Sequence, residues 1–165
     1  MTQNHERYED DYIRGILHRC RTIAMVGAST KWVRPSFFAM KYLQRKGYRV
    51  IPVNPGAVGQ EILGETVYAT LAEIPGHFEM VDIFRNSEAA GAFVDEAIAL
   101  KDDKAIDTVW MQLGVRNDEA AARAEKAGLH VVMDRCPKIE YGRLSGELSW
   151  GGINSGIITA KALKI

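Results

Sequence analysis

Residues 22–48 read TIAMVGASTKWVRPSFFAMKYLQRKGY, and the fold turns on how this stretch is read. A short apolar run, 22–26, ends in Gly27, and a helical pattern begins at Pro35. The order is therefore strand, turn, helix. A dinucleotide fingerprint would place G-x-G-x-x-G across such a turn. Here one glycine is followed by Ala28, Ser29, Thr30 and Lys31, and Arg34-Pro35-Ser36 opens the helix. Pro35 suits a first helical turn, where a missing N–H is no loss. Gly47 ends the helix predicted over 35–46, in which Phe37, Phe38, Met40, Tyr42 and Leu43 fall mostly on one side. The open amides of a helix N-terminus, two hydroxyls and two cations around one glycine suit a phosphate; the alternative is that Gly27 only makes the turn and the cations are solvated surface.

Outward from this unit the pattern repeats. Strands are predicted over 48–54, 80–84, 107–113 and 129–134, each short and apolar. Helices are predicted over 87–100, with Ser87 as cap, and over 118–127, capped by Asn117 and ended by Gly128. A short helix is predicted from Thr70 up to Pro75, after an irregular crossing over 57–68. The first helix, 8–19, carries Tyr12, Ile13, Ile16 and Leu17 on one face, which is expected to pack on the chain's own sheet. The tail, 137–165, holds short helical stretches and a glycine-rich SWGGINSG with no assigned place.

Continuously apolar strands alternating with amphipathic helices imply an α/β fold. The expectation is a doubly wound, Rossmann-like parallel sheet of about five strands with helices on both faces. The expected strand order is 3-2-1-4-5. The 165 residues are expected to form one domain, 1–165.

Ligands of such sheets sit beyond the carboxyl ends of the strands. That rule selects the loops 27–34, 54–56, 85–87, 112–117 and 134–138. In the second loop Asn54-Pro55 stands where an NAD site carries an acid for the ribose hydroxyls, so an extra ribose phosphate is tolerated and plain NAD is disfavoured. Arg85 emerges from a buried strand at the ligand edge, where it serves a phosphate or a salt bridge. Gln112 and Gly114 reach the same edge; Trp110 reads as core, and Cys136 as a packed thiol. His77 and His130 fall at the opposite, amino ends of their strands. No nucleophile–base pair converges on the edge, so no catalytic residue is assigned.

Composition narrows the partners. Lys and Arg balance Asp and Glu at zero net charge, so no global field recruits nucleic acid or an anionic membrane. No apolar run reaches the roughly 18 residues of a membrane span, and the polar start lacks a signal-peptide core. The four histidines show no metal-ligand spacing. Two distant cysteines, Cys20 and Cys136, read as free thiols of a reducing, cytoplasmic setting.

A set of words, in order, carries a family likeness: VGAS (26–29), RPS (34–36), GYRVIPVNP (47–55), ILGE (62–65), VDIFR (81–85), VWMQLGV (109–115) and VVMDRCPKIE (131–140). With these the chain resembles the stand-alone CoA-binding proteins, relatives of the CoA-binding domain of the succinyl-CoA synthetase alpha subunit. The resemblance implies coenzyme A, free or acylated, as ligand. It implies contacts from Gly27, Ala28, Ser29, Arg34, Ser36, Asn54, Pro55, Arg85 and Gly114, with Lys31 in a more variable loop. The pyrophosphate would lie at the Gly27 turn, the 3′-phosphate would explain the cations, and the pantetheine arm would pass Gln112 and Gly114. The synthetase keeps its phosphorylated histidine in a second domain with no counterpart here, so a non-catalytic binder is expected. The alternative is an NADP-dependent oxidoreductase or a nucleotide-sensing module.

Overall fold

The computed structural model describes residues 3–146, so the SWGGINSG stretch and the rest of the tail from 147 lie outside the described residues. After α1 (Asp10–Arg19), strand β1 (Thr22–Val26) leads through the Gly27 turn into α2 (Pro35–Arg45) and back to β2 (Arg49–Val53). A small hairpin, β3 (Glu61–Ile62) and β4 (Glu65–Thr66), fills the crossing to β5 (Met80–Ile83). Then α3 (Ser87–Lys104), β6 (Thr108–Met111), α4 (Asp118–Lys126), β7 (His130–Val132) and α5 (Pro137–Leu144) follow in alternation.

The main sheet has five parallel strands in the order β2-β1-β5-β6-β7. The Rossmann-like class holds, but the expected order does not. Numbered along the chain, the strands run 2-1-3-4-5, the flavodoxin-like arrangement of the doubly wound sheet. Pro52 supplies the physical reason. It lacks an N–H, so its strand belongs at an edge, and the 3-2-1-4-5 order would have made β2 internal. In the structure Pro52 turns away from β1; its carbonyl accepts from Tyr68 N–H (3.1 Å) across the outer edge.

Residues of each strand alternate between two apolar layers. Ala24, Val26, Ile51, Val53, Val81 and Ile83 pack under Ala90, Val94 and Ala97 of α3 and Ala120, Ala121 and Ala124 of α4. The alternate residues Ile23, Met25, Val50, Met80, Trp110 and Val132 pack under α1, α2 and α5. As expected, α1 covers its own sheet, through Ile13, Ile16 and Leu17.

Three local expectations need correction. Residues 70–75 form turns rather than a helix. Pro75 leaves too few residues to offset helix nucleation, and Leu71 and Ile74 gain more by entering the core. The cap of α3 is Asn86, whose side chain accepts from Ala89 N–H (2.8 Å), and the helix runs on to Lys104. On α2, Phe38 points outward and is half exposed, while Ala39, Met40, Tyr42 and Leu43 face the sheet.

Candidate functional site

The chain leaves β1 to one side, for β2, and crosses to the other for β5, so the strand order reverses between β1 and β5. A crevice opens at such a reversal. Gly27 sits at its base. Its N–H donates to the Val53 carbonyl (3.0 Å), and Phe84 N–H donates to the Val26 carbonyl (2.8 Å), so the turn is drawn tight between its neighbours. Gly27 has φ 81°, and a Cβ there would lie 2.4 Å from the Phe84 carbonyl oxygen. Both conformation and space demand glycine.

Beyond Gly27 the loop is held by its own hydrogen bonds. Ser29 N–H donates to Ser36 Oγ and Lys31 N–H to Ser29 Oγ, both at 3.1 Å, and Arg34 N–H closes a turn on the Lys31 carbonyl at 3.0 Å. Gly27, Ser29, Lys31, Arg34, Pro35, Ser36 and Phe84 line a cavity of about 360 Å³. The amides of Ala28, Thr30 and Ser36 find no acceptor among the described residues, and Lys31 and Arg34 meet no carboxylate there. Open donors and unpaired cations at a helix N-terminus are what an anion requires.

The remaining sequence candidates are placed differently. Ala28 is buried beneath the loop. Asn54 spends its amide inside the protein, with Nδ2 donating to the Ala28 carbonyl (2.8 Å) and Oδ1 accepting from Gly56 N–H (2.9 Å). It ties the end of β2 to the Gly27 loop, and Pro55 opens the single 3-10 turn that follows. The Arg85 stem runs beside Gly27, and its guanidinium lies 5.7 Å from the Phe93 ring centre. Gly114 is two strands from Gly27, roughly 10 Å at ordinary strand spacing. Its N–H donates to Asp134 Oδ1 (2.7 Å), which closes the loop above β6 onto that after β7.

One polar group was missed, although its signal, an acid inside the apolar run VDIF, stood in the sequence. Asp82 on β5 is wholly buried between Met25 and Trp110 in register. Gln112 Nε2 donates to its Oδ1 at 2.8 Å, and its Oδ2 has no partner among the described residues. Burial pushes its pKa up to about 7, with the Gln112 hydrogen bond pulling the other way. Cys136, at the head of α5, is a buried thiol raised in pKa by burial and by the Asp82 charge, against the pull of the Ile139 and Lys138 amides. His130 begins β7 beside Asp107, at the amino edge of the sheet.

The family described as a CoA binding domain matches residues 21–142, which take in the whole crevice. The chain belongs to the CoA-binding domain family. It is 36% identical over 129 residues to the uncharacterized protein YneT of Bacillus subtilis, spanning 78% of this chain and 91% of that one. A hypothetical protein from Pyrococcus horikoshii is 39% identical with a TM-score of 0.77, over 87% of this chain and 97% of its own. A Thermus thermophilus structure, cell-free ID.343, is 36% identical with a TM-score of 0.77, over 83% and 99%. For a CoA-binding domain the geometry is apt: the matched region has an anion-ready crevice, and no helix among the described residues is long and apolar enough to cross a membrane.

Proposed function

We propose that this chain binds coenzyme A or an acyl-CoA at the carboxyl ends of its sheet without catalysing a reaction. One observation carries the reading: in a chain of the CoA-binding domain family, the Gly27 crevice joins unpaired Lys31 and Arg34 to a helix N-terminus with open amides. The pyrophosphate lies over Gly27, Ser29 and Ser36, where the α2 dipole and the backbone donors meet it. Lys31 and Arg34 balance the remaining phosphate charge, and Arg85 approaches from the β5 side. The pantetheine arm runs along the strand ends toward Gly114. Binding needs no proton transfer, and the groups nearest the arm do not favour one: the Cys136 thiol is buried with a raised pKa, and Asp82 is sealed from solvent.

Thermal unfolding with CoA, dephospho-CoA, NADP and NAD, each added separately, tests this. At about 100 times Kd a specific ligand adds roughly 2.7 kcal/mol, a rise on the order of 5–10 °C for a chain of this size. The reading expects that rise with CoA, a smaller one with dephospho-CoA and none with NAD. A rise with NADP alone would replace it with the oxidoreductase reading.

A further inference from the structure

Trp32 has the highest exposure of the large apolar side chains among the described residues, with 70% of its surface open, and its neighbour Val33 is 57% open. They are the two central residues of the turn closed by Arg34 N–H on the Lys31 carbonyl. Turn centres ordinarily go to glycine, asparagine, aspartate, serine or proline, which set the backbone at little steric expense. An indole and a β-branched side chain do nothing for such a turn, and Trp32 makes no ring or cation contact with another described residue. Folding therefore does not account for it.

Its surroundings do. Lys31 and Arg34 flank it, both exposed and unpaired among the described residues, and both line the crevice that ends at Gly27. An aromatic face between two cations, on a loop pinned by its own hydrogen bonds, suits a ligand that carries a flat ring close to phosphates. A flexible amide arm would gain nothing from a π face, whereas a purine stacks on it. We infer that Trp32 is a stacking platform for the base of the bound nucleotide, which for coenzyme A is its adenine. The inference rests on the CoA reading above and adds to it the residue that selects a nucleotide over a bare phosphate ester. Placed on this loop, the ring keeps the ribose phosphate within reach of Lys31 and Arg34, so one four-residue turn reads base and charge together.

Calorimetric titration of the full chain with CoA and with adenosine 3′,5′-bisphosphate tests it, in the wild type and in Trp32→Ala and Trp32→Phe. The side chain is exposed, so both variants should melt with the wild type. The platform expects Trp32→Ala to weaken both ligands about tenfold or more and Trp32→Phe to restore most of the affinity. Unchanged CoA affinity in Trp32→Ala overturns it, whether or not the variant alters self-association. A loss for CoA but not for the bisphosphate also overturns it, since the contact would then be to the pantetheine arm. A Phe variant as weak as the Ala variant excludes stacking. A wild type that binds neither ligand overturns the CoA reading and the platform together, an outcome distinct from the others.

Discussion

Two groups of charges, one at each end of the sheet, are treated in opposite ways. At the amino ends Asp107 and Glu79 are met by protein partners. Asp107 accepts from Thr108 Oγ1 (2.6 Å) and from two nitrogens of Arg19 (3.2 and 3.3 Å), and faces His130 at 3.5 Å. Burial alone would raise its pKa, but those hydrogen bonds and the Arg19 charge hold it below the usual carboxylate value. Glu79 accepts from the amides of Arg21 (2.8 Å) and Thr22 (3.1 Å). At the carboxyl ends Lys31 and Arg34 have no carboxylate partner among the described residues, and Asp82 keeps one oxygen unpartnered. Asp107 and Glu79 at one end are committed to the fold; Lys31 and Arg34 at the other are open to a ligand, while Asp82 is sealed from solvent and Arg116 and Arg135 are paired. Each of the following experiments strains that contrast.

Asp82 gives the largest expected effect. Its carboxyl pKa is about 7 in the folded protein against the ordinary aspartate value of 3.8, so the native state holds a proton that the unfolded chain releases between those limits. Stability from this group is therefore full below about pH 4, falls as pH rises toward 7 and is flat above. The span is up to ~4 kcal/mol. Asp82→Asn, which keeps the Oδ1 acceptor for Gln112, should remove that fall and exceed the wild type in stability at pH 8. Urea midpoints of the two proteins across pH 4–8 provide the check, and parallel profiles would refute the account.

Gly27→Ala comes next. A side chain at φ 81° whose Cβ meets a backbone carbonyl at 2.4 Å must displace the β1–β5 junction, a loss of about 2–4 kcal/mol. Denaturant unfolding should show that loss, with CoA binding reduced beyond what the lost stability explains.

At the crevice mouth, Arg34→Ala should weaken CoA by about 1.5–3 kcal/mol, as for a hydrogen bond to a charged group, and leave the melting temperature of the free protein unchanged. The smallest effect belongs to the amino end. Asp107→Asn should lower stability by about 1 kcal/mol without touching CoA affinity. The opposite signatures of these last two variants, measured side by side by calorimetry and melting, are the most direct test of the contrast. If Arg34→Ala lowered the melting temperature instead, its charge would be committed after all.

Much of the architecture was legible locally. The span of β1, the opening of α2 at Pro35 and the Asn117 cap of α4 follow from periodicity and capping, which involve residues a few positions apart. The strand order was not: Pro52, whose missing N–H demands an edge, argues only against an internal β2 and does not name the neighbours. The site was half legible. Gly27, Ser29, Lys31, Arg34 and Ser36 do line one cavity, because a strand–turn–helix unit positions them by itself. For Asn54, an expected contact, nothing in VNPG reveals that the Ala28 carbonyl, far along the chain, accepts from its amide.

From the residue pattern alone came the α/β class, the parallel strands, most helix starts near their caps and the expectation of an anion at the Gly27 turn. These depend on periods and dihedral preferances that act over one or two turns of chain. Only the tertiary structure decided which strands are neighbours, that Arg85 rather than Gly114 lies beside Gly27, that Asp82 is buried with one oxygen unpartnered, and that Trp32 stands free between two unpaired cations. Whether a charge or a ring is committed depends on groups that folding brings from distant positions, and a linear pattern does not encode that proximity.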